Sequence, residues 1–277
     1  MPPRVLFALD AGARAPGDAP PGDLQRMAPA VGMCVALDAR RSHHLVRVLR
    51  LAPGELVEAF DGRGRSFRAT IETADARGCV IRLIEPLARQ VESALRITLA
   101  QCLSSADRMD WTIEKAVELG VARIVPLTSS RSQVRLDAAR TARKLEHWRA
   151  IVEAACTQSG RSLLPPIAAV QPLGSFVAAD RHDGDFRQRP CGDAENAPAL
   201  RLLLLDPRAA RPLSQAQVER GSRVVLLAGP ESGLAEEEVR EARAAGFEPV
   251  VTGPRILRTE TAGVAAIAAL QALAGDF

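Results

Sequence analysis

The last quarter of the chain alternates between continuous apolar runs and segments with helical periodicity. A run without alternation, such as 222–228, is typical of a strand that helices cover on both faces. Breaks rich in glycine and proline follow the strands, so that each strand leads through a loop into a helix. The predicted elements are strand 222–228, loop 229–233, a helix from Glu236 to Gly246, strand 247–252, a break at Gly253 and Pro254, and helix 259–274. This order predicts an α/β unit with a parallel sheet and a ligand site outside the carboxyl ends of its strands.

The same alternation extends back to about residue 94. The predicted elements are strand 96–103, a helix with Ser104 and Asp107 at capping-box spacing that ends at Gly120, strand 121–127, helix 138–159, strand 164–170 and strand 201–205. Trp148 lies at helical spacing from other apolar residues, which favours a core position over stacking on a base. Residues 180–198 are polar and irregular and predict a surface loop without catalytic importance.

Residues 1–88 have a different pattern, in which short apolar segments alternate with turn signals. Their spacing predicts a small β-barrel with strands 4–9, 35–37, 55–60, 66–73 and 79–83. A helix is predicted at 42–49 with Ser42 as its N-cap. Gly62 and Gly64 predict a hairpin turn rather than a dinucleotide-binding loop, because another strand follows them. A linker at 86–93 then separates a first domain, 1–88, from a second, 94–277.

Composition is consistent with a two-domain protein that has no membrane partner. The 277 residues are 47% hydrophobic, enough for more than one core. No run reaches the ~18 to 20 apolar residues that cross a bilayer, and the N-terminus lacks the apolar core of a secretory signal, so we expect a cytoplasmic protein. The five cysteines lie far apart and predict neither a disulfide framework nor a metal site. His182 and Asp183 form only a poorly supported metal pair.

The net charge of +3 does not identify a partner, but the basic residues are clustered. Segment 123–149 contains seven Arg and Lys residues against two acidic ones, and segment 40–50 contains four arginines and two histidines without an acid. Such clusters suit a polyphosphate backbone. The other interpretation is a solvated face in an arginine-rich chain.

The loops after the C-terminal strands lack the G-x-G-x-x-G, G-x-x-x-x-G-K-[ST], H-E-x-x-H and G-x-S-x-G patterns. They contain instead LLAGPESG at 226–233 and TGPRILRTETA at 252–262. This pair resembles the C-terminal motifs of the SPOUT class of trefoil-knotted RNA methyltransferases. More narrowly, it resembles the bacterial family that methylates N3 of a uridine in 16S ribosomal RNA. Ser232 stands where the family pattern has a glycine, and Thr252 where it has a leucine.

The resemblance also covers segments 44–54, 107–127, 130–132 and 153–161. It implies an N-terminal PUA-like β-barrel that binds RNA and a C-terminal SPOUT α/β-knot domain whose last helix threads a loop. It further implies S-adenosylmethionine as cofactor, the 16S RNA of the small ribosomal subunit as substrate, and a homodimer. The last helix would lie at the dimer interface, where small residues permit close packing: Ala262, Gly263, Ala266 and Ala269.

Two sets of residues are assigned through this resemblance. The cofactor set comes from three loops: Leu204, Leu205, Leu227, Ala228, Gly229, Pro230, Glu231, Gly233, Thr252, Gly253, Ile256, Leu257, Arg258 and Thr261. The RNA set comes from basic residues in matching segments: His44, Arg47, Arg50, Arg108, Arg131 and Arg161. The alternative for Arg131 and Arg161 is a contact with the dimer partner.

Methyl transfer to uracil N3 requires that a weakly acidic proton be removed and that the developing charge be stabilised. Arg258 is the candidate that stabilises the uracil oxygens, and Glu260 or Glu231 is the candidate proton acceptor. The structural alternative is that Arg258 and Glu260 form an ion pair that fixes their loop. A non-catalytic RNA-binding or ribosome-associated protein is the alternative function, distinguished by RNA affinity without cofactor affinity.

Overall fold

The computed structural model describes residues 2–8, 28–89, 91–132, 137–178 and 199–277 of the chain. It divides into two compact units, Met1–Glu92 with Cys156–Leu164, and Ser93–Ala155 with Pro165–Phe277. The short stretch Cys156–Leu164, which the sequence places in the second domain, therefore groups with the first unit. The predicted loop 180–198, with His182 and Asp183, lies outside the described residues.

The first unit contains a five-stranded sheet. Its strands are β1 (Arg4–Leu6), β2 (Cys34–Ala36), β3 (Leu56–Phe60), β4 (Ser66–Thr73) and β5 (Val80–Leu87), in the order β1-β3-β4-β5-β2. Strands β1 and β3 pair in parallel and the other neighbours are antiparallel. The predicted bounds of β4 and the hairpin turn between β3 and β4 are confirmed. Strand β5 runs four residues beyond its predicted end and includes the first two residues of the predicted linker.

The helix of this unit begins earlier than predicted. Helix α1 (Ala39–His43) is followed directly by one π-helical segment, His44–Val48. Asp38 is the N-cap, since its Oδ1 accepts a backbone N–H of the first turn at 2.8 Å. Ser42 is instead fully buried, and its hydroxyl accepts from the Cys79 N–H at 2.9 Å. The prediction of Ser42 as N-cap is wrong because this hydroxyl fastens the helix to the sheet.

The second unit contains a six-stranded sheet in which every neighbouring pair is parallel, with the order β11-β9-β10-β6-β7-β8. The strands are β6 (Arg96–Cys102), β7 (Arg123–Thr128), β8 (Gln171–Pro172), β9 (Leu200–Leu205), β10 (Arg223–Ala228) and β11 (Glu248–Val250). The helices are α2 (Ala106–Glu118), α3 (Ala138–Ser159), α4 (Leu173–Ala178), α5 (Glu236–Ala244) and α6 (Thr259–Ala274), with a 3₁₀ turn at Leu213–Gln215. The predicted parallel α/β sheet is confirmed. The threading of the last helix through a loop stays a prediction.

Two local predictions in this unit are wrong. The strand expected at 164–170 does not form in the described structure, because Pro165 and Pro166 have no N–H to donate to a neighbouring strand, and the two-residue β8 begins only after it. Ile167 makes only an isolated bridge to β7. The expected capping box at Ser104 is also absent from the described structure, since α2 begins at Ala106 and the buried Ser104 hydroxyl has no hydrogen-bond partner there.

The sheet topology brings three loops to one edge. Strands β9, β10 and β11 are neighbours and run in the same direction, so their carboxyl ends lie side by side. Strand β10 is central and fully buried over its last five residues, as its continuous apolar sequence predicts. Gly246 ends the segment after α5 at a φ of +91°, which confirms the predicted stop. Within the described residues, no helix is both long and apolar enough to cross a membrane.

Candidate active site

A cavity of about 630 Å³ lies at the shared edge of β9 and β10. Its walls are the turn after β9, the glycine loop (residues 229–233) after β10, and the C-terminal loop (residues 251–258) after β11, with side chains from α2 and α6. Most of the predicted cofactor residues line it: Leu204, Leu205, Ala228, Gly229, Pro230, Glu231, Gly233, Ile256, Leu257 and Arg258. The three loops that the sequence singles out are therefore brought together.

Four of the predicted cofactor residues are not among the residues that line this cavity. Leu227 is fully buried within β10. Thr252 and Gly253 line a second, more apolar cavity of about 740 Å³ beside the C-terminal half of α6. Thr261 is half-buried in the first turn of α6.

One hydroxyl joins the two sequence motifs. The Thr259 Oγ1 donates to the Gly229 carbonyl at 2.6 Å and accepts from the Gln101 Nε2 at 3.2 Å. Thr259 and Gln101 are both buried. The start of α6 is thereby fixed to the glycine loop and to the end of β6. Thr259 was not assigned a role from the sequence, although it lies inside the ILRTETA motif.

Two positions of the glycine loop require glycine. A Cβ at Gly229 would lie 3.1 Å from the Leu234 side chain, tighter than ordinary packing allows. Gly233 has a φ of +69°, which favours glycine, and its N–H donates to the Pro230 carbonyl at 2.9 Å. Ser232 has no positive φ and fits the loop, and its hydroxyl donates to the Arg131 carbonyl at 2.9 Å.

A second hydrogen bond, besides that from Ser232, holds the turn after β7 that carries Arg131. The Ser130 N–H donates to Glu238 Oε1 at 2.7 Å, while Glu238 Oε2 accepts from the Ala235 N–H at 2.9 Å. Glu238 therefore ties the turn after β7 to the first turn of α5. As a result the Arg131 side chain lines the cavity.

Arg108 on α2 contacts both carboxylates that the sequence proposes as proton acceptors. Its Nη1 lies 3.2 Å from Glu231 Oε1, and its Nε lies 3.7 Å from Glu260 Oε1. The alternative ion pair between Arg258 and Glu260 is not found among the described residues, because Glu260 pairs with Arg108. Arg258 is the exposed N-cap of α6, lines the cavity and has no ion pair within the described part of the chain.

The predicted RNA contacts divide into exposed and buried residues. His44, Arg47 and Arg50 are exposed on and just after the π-helical segment of the first unit. Arg161 is 3% exposed and its Nη2 donates to Glu92 Oε2 at 2.6 Å. The assignment of Arg161 to RNA is corrected here, since a guanidinium that is buried in an ion pair is not available to a phosphate.

Some cavity residues had no role assigned from the sequence: Arg208, Leu234, Val239 and Thr259. Ala262, which was assigned to the dimer face from the sequence, also lines the cavity. Arg208 lies three residues beyond Leu205, the last predicted cofactor residue of the first loop, and Leu234 directly follows the glycine motif 226–233, so both lie just outside the predicted segments. Val239 and Ala262 lie one helical turn inside α5 and α6. Only the packing of these helices shows that the two residues line the cavity.

Cys102 lies at the end of β6 and is fully buried. Burial, together with the charge of Glu238, raises the pKa of the Cys102 thiol far above its ordinary value. The thiol therefore stays protonated at neutral pH and is not a nucleophile. Within the described residues, no group of three His, Cys, Asp or Glu side chains is arranged to hold a metal ion.

Trp148 confirms its predicted core position at 1% exposure. Its indole N–H donates to Asp110 Oδ1 at 3.0 Å, and Asp110 Oδ2 lies 2.7 Å from His147 Nε2. The indole is therefore occupied within the second unit and does not present a face for a base.

Comparisons with known proteins agree with this geometry. A family model described as an RNA methyltransferase domain matches residues 91–271, and one described as an RNA methyltransferase PUA domain matches residues 37–84. A curated relative, ribosomal RNA small subunit methyltransferase E of Synechocystis, is 34% identical over 86% of this chain and 73% of its own length.

Two solved structures are similar along the whole chain. A methyltransferase of Legionella pneumophila with bound S-adenosylmethionine has a TM-score of 0.82 at 31% identity, with 100% of each chain covered. The ribosomal RNA small subunit methyltransferase E of Neisseria gonorrhoeae, also bound to S-adenosylmethionine, has a TM-score of 0.80 at 33% identity and the same coverage. Because the family model spans most of the chain and these relatives match both units, the chain belongs to the RNA methyltransferase family whose curated members are named ribosomal RNA small subunit methyltransferase E.

Proposed function

We propose that this chain transfers the methyl group of S-adenosylmethionine to N3 of a uridine in the 16S RNA of the small ribosomal subunit. The observation that carries the proposal is the cavity at the carboxyl ends of β9 and β10, where Thr259 joins two glycine-broken loops beside an exposed Arg258. Family membership and the cofactor found in two similar structures support the reaction class. The site of action is the cytoplasm, where small ribosomal subunits are assembled.

The cavity residues fit S-adenosylmethionine. The volume of about 630 Å³ is that of a small-molecule site, and the backbone of the glycine loop forms part of its wall. Ile256 is 85% exposed and, with Leu257, offers an apolar surface to an adenine ring. When bound, the cofactor supplies a methyl group on a positively charged sulfur.

The chemistry assigned to the protein is orientation and electrostatic stabilisation. Arg258 faces the cavity without an internal partner among the described residues, so its guanidinium is free to donate to the uracil oxygens that flank N3. These oxygens gain negative charge as the N3 proton leaves, and Arg258 stabilises that charge. Glu231 and Glu260, both in contact with Arg108, remain the proposed proton acceptors.

RNA is held by residues that contact its phosphates rather than its bases. Arg131 at the cavity, together with Arg108, reaches the nucleotides beside the target uridine. His44, Arg47 and Arg50 of the first unit bind the RNA at a separate surface, consistent with the PUA match over residues 37–84. The first unit therefore contributes affinity, and the second contributes the reaction.

The proposed homodimer places part of α6 at a two-fold interface. This helix is apolar on all sides, a property of helices that are covered on all sides. The predicted small-residue face needs one revision, because Gly263 and Ala266 are already buried, with the Cβ position of Gly263 lying 3.2 Å from Leu99 of β6. Ala269 and the 51% exposed Leu273 remain open along the second cavity and supply the contact surface.

Calorimetry with S-adenosylmethionine, followed by methylation of small subunits from a strain that lacks this protein, tests the proposal. We expect cofactor binding by the full chain and one new 3-methyluridine in 16S RNA, identified by mass mapping. RNA affinity without cofactor affinity would support the non-catalytic alternative. A methyl group on another ring atom would overturn the N3 assignment while leaving the reaction class intact.

A further inference from the structure

The two candidate carboxylates share one arginine but differ in how they are held. Arg108 is 40% exposed in its side chain and lines the cavity. Its guanidinium spans the glycine loop, through Glu231, and the first turn of α6, through Glu260. A single cation thus contacts one acid from each sequence motif. The two acids can therefore be compared by their remaining contacts and by their burial.

Glu231 is held by two donors. Its Oε1 accepts from Arg108 Nη1 at 3.2 Å and from the Ser105 backbone N–H at 3.2 Å. The side chain is 30% exposed, so water solvates the rest of the carboxylate. These contacts connect the middle of the glycine loop to the start of α2, a structural fastening of the cavity wall.

Glu260 is held loosely and is incompletely satisfied. Among the described residues its one ion pair is the 3.7 Å contact of Oε1 with Arg108 Nε, and its side chain is 15% exposed. Its Oε2 is buried and has no hydrogen-bond partner in the part of the chain that the structure describes. A buried acceptor without a donor costs about 1–3 kcal/mol, and such atoms in native proteins call for an explanation that includes a catalytic role.

We infer that the two carboxylates have different roles: Glu260 accepts the N3 proton of the uridine through Oε2, and Glu231 is a positioning residue that holds the glycine loop against the cofactor. The inference rests on the proposed function and deepens it. An oxygen that already accepts two hydrogen bonds is a poor proton acceptor, whereas an oxygen without a donor keeps its full capacity to bind a proton. Glu260 is not itself among the residues that line the cavity, but Arg108, which contacts its carboxylate, does line it.

The step balances in atoms and charge. The N3–H bond breaks, its proton forms an O–H bond with Glu260 Oε2, and the electron pair left on N3 forms the new bond to the methyl carbon. The bond from that carbon to sulfur breaks, and its electron pair neutralises the sulfonium. One negative carboxylate and one positive sulfonium are consumed, leaving a neutral carboxylic acid, a neutral thioether and a neutral methylated base.

Access to Glu260 Oε2 requires one movement. The atom has no accessible surface, so the nucleotide reaches it only when a neighbouring side chain turns aside. Arg108 contacts the same carboxylate, is 40% exposed and makes its firmer contact with Glu231. An RNA phosphate that draws the Arg108 guanidinium outward would open the path.

The test compares Glu260→Gln with Glu231→Gln in the full chain, by single-turnover methylation of small subunits at saturating S-adenosylmethionine and by calorimetry with the cofactor. For Glu260→Gln we expect the rate constant to fall by about 10²-fold or more, with the cofactor Kd within about twofold of wild type. For Glu231→Gln we expect the reverse, a Kd about fivefold to tenfold weaker and a rate constant within about fivefold, on the order of one lost hydrogen bond. Thermal melting checks that both variants fold.

The pH profile separates proton transfer from a structural role. The wild-type rate should fall towards acid pH as the accepting carboxylate becomes protonated, and Glu260→Asp, which keeps a carboxylate, should retain that acid limb while Glu260→Gln loses it. A Glu260→Gln rate within threefold of wild type, or an acid limb unchanged in that variant, overturns the inference. A 100-fold loss of rate in Glu231→Gln with unchanged cofactor affinity overturns it as well. A wild-type chain that transfers no methyl group contradicts the proposed function itself, which keeps the two failures distinct.

Discussion

In the first unit, Glu58 is 1% exposed and both of its oxygens are ion-paired, to Arg4 at 2.8 Å and to Arg89 at 2.5 Å. In the second unit, Arg258 lines the cavity without an ion pair among the described residues, and the neighbouring Glu260 has one buried oxygen without a hydrogen-bond partner there. The residue types are the same in both places. We propose that the completeness of pairing, rather than the presence of charge, separates a structural cluster from a reactive one.

The largest expected effect tests the structural side of this comparison. Arg4→Ala leaves Glu58 buried with one of its two cations missing, so the free energy of unfolding should fall by about 3–5 kcal/mol. Urea unfolding of the full chain measures it. Arg68→Ala is the matched control, because the Arg68–Glu85 pair is about half exposed and should contribute at most about 1 kcal/mol. Equal losses in the two variants would contradict the distinction.

The next effect tests the reactive side. Arg258→Ala should reduce methylation by about 10²–10³-fold through loss of transition-state stabilisation. Because the Arg258 side chain is exposed, the melting temperature of the Arg258→Ala variant should equal that of the wild-type protein. Arg255→Ala, an exposed arginine on the same loop that does not line the cavity, should retain activity. Loss of stability in Arg258→Ala would mean that this arginine is structural after all.

A smaller effect concerns the junction of the two motifs. Thr259→Val removes the hydroxyl between the Gly229 carbonyl and Gln101, which should lower stability by about 1–3 kcal/mol. Cofactor affinity should weaken with it, since the glycine loop loses its anchor. Thr259→Ser keeps the hydroxyl and should restore most of both properties. Calorimetry measures the cofactor affinity of the two variants and thermal melting measures their stability. Equal affinity and stability in Thr259→Val and Thr259→Ser would show that the hydroxyl does not anchor the glycine loop.

The smallest effect is expected at Ser232. Ser232→Ala deletes its hydrogen bond to the Arg131 carbonyl and should weaken RNA binding by about 0.5–1.5 kcal/mol, because the turn that presents Arg131 is released. Ser232→Gly restores the residue of the family pattern and also loosens the backbone, so it should weaken binding slightly more. Filter binding with 16S RNA measures both. Unchanged affinity would leave Ser232 as a neutral replacement for glycine.

Sequence patterns predicted correctly those helices and strands whose formation depends on residues close together in the chain. The apolar run of β10, the glycine stop after α5 and strand β4 each follow from neighbouring residues, and each was confirmed. Ser42 and Ser104 were misread because their hydroxyl environments depend on residues distant in the chain or on burial. No pattern in the sequence distinguishes such a serine from a helix cap.

Long-range pairing also explains what the sequence predicted of the site and what it did not. The motif loops were recognised as cavity walls, since parallel strands place their carboxyl ends together. The Arg161–Glu92 pair spans 69 residues and the Arg108–Glu231 contact spans 123, so neither partner is visible from its own segment. Arg161 and Arg108 therefore looked equivalent in the sequence, although one is buried in an ion pair and the other lines the cavity.

The first unit consists of two separate segments of the chain, and this affects the order in which the chain can fold during synthesis. Arg4 donates to the carbonyls of Cys156 at 2.7 Å and Arg161 at 3.1 Å, and the hydroxyls of Ser66 and Ser162 meet at 2.5 Å. The N-terminal unit thus stays incomplete until residue 164 has emerged from the ribosome, by which time the second unit has already begun at residue 93. Residues of the first unit are therefore synthesised both before and after the second unit has begun. A fragment ending near residue 92 would lack the Cys156 and Arg161 carbonyls to which Arg4 of its first strand donates.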